Sequence, residues 1–265
     1  MNKRIELLGY PVDNLSTGEI IQKVSHAIKS NHKMHIIAIN ANKFYQVKKD
    51  LLLSKILKKA EIIIPEYAFV WASRIIGTPL VEHVGGIMLM RSLLDASTEN
   101  DFSFYFLGGK DEVIETMISN IKREYSHIKI AGWHHGYFKD ENDVIMKIND
   151  STATILLVAL GVPKQEYFIH QNRNKINVPI MMGVGGSFDV FAGIRHETPS
   201  FLRHGLEWIF RMIQDPKSLW RRYLTSNPYF IYHVLKCKWN NNNLAILQNS
   251  QAQPEAKEHT VHSNE

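Results

Sequence analysis

Two glycine-bearing turns, each loaded with polar side chains, hold much of the chemistry this chain could perform. The run Gly161-Val-Pro-Lys-Gln-Glu166 follows an apolar stretch, Thr154–Leu160, and predicts a buried strand, a turn and a helix opened by Pro163. Proline suits a first helical turn because its missing N–H has no partner to lose there. Lys164, Gln165 and Glu166 then gather at the carboxyl end of the strand, where ligands settle in open α/β sheets. A second unit follows at Pro179–Met182 and ends in Gly183-Val-Gly-Gly-Ser-Phe-Asp189. Two such strand ends in succession point to an enzyme pocket.

Other positions carry two readings each. Gly108-Gly109-Lys110 stands between a strand and a helix, where amide N–H groups and the helix dipole suit a phosphate. It equally suits a tight turn with an exposed lysine. Asp189 could bind a ribose or sugar hydroxyl, or cap the turn after it. Glu66, between Pro65 and Tyr67, could act as a general base toward an acceptor hydroxyl. A first-turn glutamate is also favoured by the helix dipole alone. His134-His135 resembles a metal pair, but neighbours on an extended chain point to opposite faces. The chain has no Asp-x-Asp, so a mechanism without a metal or other cofactor is expected. Gly183-Val-Gly185-Gly186 lacks a glycine at Phe188, which weakens a nicotinamide-dependent oxidoreductase reading.

The elements that must position these residues alternate. Met34–Ile39, Glu61–Ile64, Phe102–Leu107 and His127–Ala131 read as strands, and Leu51–Lys59, Asp111–Tyr125 and Asp140–Asn149 as helices. Ser16-Thr-Gly-Glu19 forms a capping box for an earlier helix, after an apolar start at Ile5–Tyr10 and a turn at Pro11–Asn14. Alternation of this kind predicts an α/β, Rossmann-like fold, a mostly parallel sheet with helices on both faces. The 265 residues suffice for one such core plus an appendage. A single cysteine, Cys237, and a start without an apolar leader fit a reducing cytosol. No apolar run approaches the roughly 20 residues of a membrane-spanning helix.

Beyond Pro199 the pattern turns helical, with breaks expected at Pro216 and Pro228. Arg203, Arg211, Lys217, Arg221, Arg222, Lys236 and Lys238 face only Glu207 and Asp215, so this span carries the whole net charge of +5. Interleaved Trp208, Trp220, Tyr223, Tyr232 and Trp239 suit an interfacial helix on anionic lipid. A packed helical hairpin ranks second and a nucleic-acid surface last, so no nucleic-acid partner is expected. Residues 240–265, rich in Asn, Gln and Ser, are expected to lack structure.

Together these blocks resemble the WecG/TagA/CpsF glycosyltransferases, glycosyltransferase family 26, from about Ile5 to Tyr232. The blocks are Phe106-Leu-Gly-Gly-Lys110, His135-Gly-Tyr-Phe138, Gly161–Glu166, Gly183–Asp189, Gly205-Leu-Glu-Trp208 and Trp220-Arg-Arg-Tyr223. The resemblance implies an inverting transferase that moves an N-acetylmannosamine-type sugar or its uronic acid from a UDP-sugar. The acceptor it implies is a sugar on a polyprenyl pyrophosphate, and the product a precursor of surface polysaccharide. Glu66 becomes the implied catalytic base. Asn40, His83, Gly108, Gly109, Lys110, Lys164, Gln165, Gly185, Gly186 and Asp189 become the substrate-binding set. Arg203, Arg211, Arg221 and Arg222 are implied to meet the acceptor pyrophosphate and the membrane, which places the protein on the inner face of the cell membrane.

Against the family pattern, Pro65-Glu66-Tyr67 replaces Pro-Asp-Gly, Met88 replaces a second aspartate, His83 an arginine and Ala38 a threonine, while Asn40 is kept. These departures suggest altered sugar specificity, and they keep alive a catalytically inert sugar-nucleotide- or lipid-binding protein of the same fold. The expected organisation is a transferase core over 1–200, an appendage over 201–239 and a tail over 240–265. Association into homo-oligomers is left open.

Overall fold

A computed structural model describes residues 3–199, 202 and 207–251. In chain order the elements are β1 (Arg4–Leu7), β2 (Tyr10–Asp13), α1 (Thr17–Lys29), β3 (Met34–Ile39), α2 (Ala41–Val47), α3 (Leu51–Lys59), β4 (Ile62–Pro65), α4 (Tyr67–Ile76), α5 (Gly86–Asp95) and α6 (Ser97–Asn100). There follow β5 (Ser103–Gly108), α7 (Asp111–Glu124), β6 (Lys129–His134), α8 (Glu141–Asp150), β7 (Ile155–Ala159), α9 (Lys164–Asn172), β8 (Ile180–Gly183), α10 (Ser187–Phe191), α11 (Glu207–Gln214) and α12 (Pro216–Gln251).

Six strands pair in the order β4-β3-β8-β7-β5-β6, and each neighbouring pair is parallel. Their side chains alternate between two cores, as the strand period of two requires. Ile36 and Ala38 face a core shared with α1, α5 and α7, whereas Ile37 and Ile39 face one shared with α2, α3 and α4. From β5 the chain crosses through α7 to β6, and from β7 through α9 to β8 in the opposite direction. A crevice therefore opens over the carboxyl ends of β5 and β7.

The amino terminus differs from expectation. Its turn is at Leu8-Gly9, where both residues have positive φ (57° and 82°), and Pro11 lies within β2 opposite Glu6. Proline is tolerated there because β2 is an edge strand. Asp13 clasps Arg4 and accepts from the Ile63 N–H at 2.7 Å, so the hairpin covers the β4 edge of the main sheet. The capping box at Ser16 and Glu19 forms as read.

Pro216 opens α12, but Pro228 lies inside that helix instead of ending it. An interior proline costs about 3 kcal/mol. Burial of Phe230 and Val234 immediately beyond it compensates, with the Phe230 ring 5.5 Å from Phe44 and 5.3 Å from Phe69. The appendage is thus seated on α2 and α4. The α12 backbone runs on to Gln251, into the stretch expected to lack structure, and 252–265 lie outside the described residues.

Candidate active site

Because β3 and β4 pair with Ile39 opposite Pro65, their next residues, Asn40 and Glu66, emerge side by side. The Asn40 amide donates to Glu66 Oε2 at 3.0 Å, and Asn40 Oδ1 accepts from the Lys43 N–H at 2.8 Å, capping α2. Glu66 holds the N-cap position of α4 but makes no side-chain cap hydrogen bond. Its carboxylate is therefore held by Asn40 instead of capping the helix.

Glu66 lies on the walls of two hollows. The first is built by His83, by Gly85 and Gly86 at the start of α5, by Gly186 and Ser187 at the start of α10, and by Arg195. The Val84 N–H donates to the Pro65 carbonyl at 3.1 Å, which draws the α5 start beside Glu66. The second is lined by Asn40, Trp71, Trp208, Arg222, Phe230 and Ile231, so α12 forms one side of it. Arg211 belongs to both. Tyr67 lines the second hollow and His83 the first, and their rings stack with centroids 3.8 Å apart. Three positions that depart from the family pattern, Glu66, Tyr67 and His83, thus meet at one place, with Met88 on the same first wall.

The charges of the two hollows differ. In the first, Arg195 is held by Asp215 at 3.0 Å and by Asp189 at 3.4 Å. Asp189 therefore faces a guanidinium that the sequence did not suggest for it. Desolvation pulls the Arg211 pKa down, but the Glu207 and Glu66 carboxylates outweigh it and leave it raised. Arg222 is the opposite case. Desolvation dominates and lowers its pKa despite Tyr223 and Glu66, and its Nε is enclosed without a hydrogen-bond partner.

The remaining sequence-derived residues divide. Gly109 and Lys164 line a groove with Gly136 and Tyr137 over the β5–β7 crevice. Gly108 has φ 137°, and a Cβ there would meet the Ala159 carbonyl oxygen at 2.4 Å, so the close strand approach itself requires glycine. Lys110 is exposed at the N-cap position of α7. Gln165 is 1% exposed and spent on the protein: it donates to Glu166 Oε1 at 2.9 Å and accepts from the Gly185 N–H at 3.1 Å. Arg221 is exposed, its guanidinium 5.2 Å from the Trp220 ring. Arg203 lies outside the described residues.

His134 and His135 do not point to opposite faces. Their ring centroids are 4.5 Å apart because β6 ends at His134 and the chain turns, and His135 Nδ1 accepts from the Tyr137 N–H at 3.1 Å. Sequence reading missed Arg195, Trp71 and a buried ion pair between Lys43 and Glu166. Glu166 stood out only as part of the Gly161–Glu166 turn, and Lys43 only by standing three residues after Asn40.

The chain is 36% identical over 234 residues to an N-acetylglucosaminyldiphosphoundecaprenol N-acetyl-beta-D-mannosaminyltransferase of Bacillus spizizenii, covering 85% of this chain and 90% of that protein. Proteins of the same name from Bacillus subtilis and Staphylococcus aureus are 33% and 30% identical, covering 85% and 89% of this chain and 85% and 93% of theirs. The profile of the glycosyl transferase WecG/TagA/CpsF family matches residues 5–244, which takes in the parallel sheet, both hollows about Glu66 and most of α12; this chain belongs to that family of glycosyltransferases.

Proposed function

We propose that this protein transfers an N-acetylmannosamine-type sugar from a UDP-sugar to a sugar carried on a polyprenyl diphosphate, for surface polysaccharide synthesis. The observation that carries this reading is that Glu66, held by the Asn40 amide, lies on the walls of both a polar hollow and an amphipathic one. The relatives' printed name supplies the sugar moved and the lipid-linked acceptor.

In this reading Glu66 takes the proton from the acceptor hydroxyl as that oxygen attacks the anomeric carbon and the C–O bond to UDP breaks. Asn40 holds one carboxylate oxygen, which leaves the other to receive the proton. Inversion requires attack from the face opposite the nucleotide, so donor sugar and acceptor approach Glu66 from different sides. The donor sugar occupies the first hollow, beside His83, Gly186 and Asp189, with the nucleotide reaching toward Gly109, Lys110 and Lys164. Helix amino termini and these lysines offset the charge on the departing diphosphate, a role that preorganised dipoles and cations can fill. On the acceptor side Arg211 and Arg222 meet the lipid diphosphate, arginine being suited to such bidentate contacts. The apolar walls at Trp71 and Phe230 meet the lipid.

No helix among the described residues is long and apolar enough to cross a membrane. The exposed Trp220, Leu235 and Trp239 on α12, with Arg221, Lys236 and Lys238, support attachment to an anionic membrane from its inner face. Glu66→Gln, assayed for transfer with UDP binding measured in parallel, tests the reading. Loss of transfer with binding kept supports it, and transfer within a few fold of wild type defeats it.

A further inference from the structure

Beneath the two hollows runs a line of polar contacts that the transfer chemistry does not itself consume. It begins at Glu66, passes through the Asn40 amide, and reaches the Lys43 N–H. The Lys43 ammonium then turns inward and donates to Glu166 Oε1 at 2.7 Å, the two side chains being 3% and 1% exposed. Gln165 donates to the same oxygen and accepts from the Gly185 N–H, opening onto the loop that leads to Asp189. Gly183 makes room for this crossing, since a Cβ there would come within 2.4 Å of Gln165 Nε2. The ends of β3, β4, β7 and β8 are thereby tied in one chain of contacts.

Stability alone does not account for the ion pair. Glu166 Oε2 is buried and has no hydrogen-bond partner, so the pair is only half satisfied. Desolvating two ions costs several kcal/mol each, and well-packed apolar replacements of similar volume are often as stable or more so. What the pair does do is geometric. It fixes the first turn of α2, and with it Asn40 and Glu66, against the α9 turn that braces the Gly185–Asp189 loop. Neither side chain lines a hollow, so neither touches substrate.

We infer that Lys43 and Glu166 are positioning residues of the transfer reaction, setting the Glu66 carboxylate relative to the loop that lies along the donor sugar. The inference rests on the reading of Glu66 as the base. It separates two properties that a purely structural pair would lose together, folding stability and the rate of the chemical step.

The deciding experiment is the double variant Lys43→Met with Glu166→Leu, which removes both charges at similar volume and strands neither. The expected result is a Tm no lower than wild type and a KM for the UDP-sugar within about twofold. Its kcat should fall about 10- to 100-fold, because displacement of a reacting group by about 1 Å can cost that much. Lys43→Met alone should lower Tm, since it leaves a buried carboxylate uncompensated. Glu166→Gln, which keeps the shape, gives a second measure if the double variant does not fold: kcat should drop with KM unchanged. Full kcat in either folded variant overturns the inference while leaving Glu66 as the base. Absence of transfer by the wild-type chain refutes the reading of Glu66, and the positioning role with it.

Discussion

The two hollows beside Glu66 share that carboxylate, Glu207 and Arg211, and differ in the rest of their walls. In the first, Arg195 is claimed by Asp189 and Asp215 and Arg211 by Glu207, and the walls include the starts of α5 and α10. In the second, Arg222 carries a desolvated guanidinium with a lowered pKa, set among Trp71, Trp208 and Phe230. A hollow whose guanidinium groups both meet carboxylates suits an uncharged sugar ring. One that keeps an undercompensated cation against apolar walls suits a ligand that is anionic at one end and greasy at the other. The contrast assigns donor and acceptor to opposite sides of the same base.

The largest expected effect comes from removing the base that both hollows meet. Glu66→Gln should lower kcat by about 10²- to 10⁴-fold, the usual contribution of a general base. UDP affinity should stay near wild type, and equilibrium binding alongside steady-state kinetics would check both. Arg222→Met should divide the two sides. A charge-assisted hydrogen bond is worth about 1.5–3 kcal/mol, so kcat/KM for the lipid acceptor should drop about 10- to 100-fold while the donor KM holds. Because its environment already disfavours the charged form, the same variant should melt no earlier than wild type. A parallel rise in both KM values would erase the distinction between the hollows.

The sheet that carries both can be tested by pH. Burial, aided by the charges of Lys43, Arg173 and His170, pushes the His35 imidazole down to about 3. An unfolded histidine titrates near 6.5, so on acidification the unfolded chain gains this proton first. The stabilisation is complete above about pH 6.5 and is lost progressively as pH falls toward 3. At pH 5 the loss from this residue should be about 2 kcal/mol. Denaturant unfolding of wild type and His35→Leu at pH 7.5 and pH 5 should show the wild type losing that much more. Equal losses would remove His35 as the cause.

Much of this arrangement was legible in the sequence, for identifiable reasons. Met34–Ile39 and Leu51–Lys59 formed as read because a buried parallel strand and an amphipathic helix leave clear apolar patterns. Asn40 and Glu66 could be named singly, since each follows a strand, but their pairing depends on the β3–β4 register, which no local pattern encodes. The seat of α12 was hidden for a related reason. Phe230 and Val234 look like any aromatic and aliphatic residue on a basic helix until Phe44 and Phe69 are seen beneath them. Pro228 argued for a break, and tertiary packing overrode it. The Lys43–Glu166 pair was least legible, because buried lysine and glutamate are spelled like exposed ones.

Arg221 and Arg222 show how far composition can mislead, and they give the smallest of the expected effects. Adjacent in sequence and alike in type, they read as one basic patch. On a helix, however, neighbours project about 100° apart, so one structure can give them separate duties. Arg222 lines the second hollow, whereas Arg221 is exposed beside the exposed Trp220 and lines neither hollow. A basic residue near an anionic membrane contributes about 1 kcal/mol, so Arg221→Gln should weaken partition onto phosphatidylglycerol vesicles about fivefold. High salt should abolish the difference, because screening removes the attraction for both forms. Turnover of a short-chain, water-soluble acceptor should not change, since that substrate needs the hollow and not the surface. Loss of that turnover in Arg221→Gln would mean the two arginines work as one patch after all, and the division between pocket and membrane face along α12 would fall.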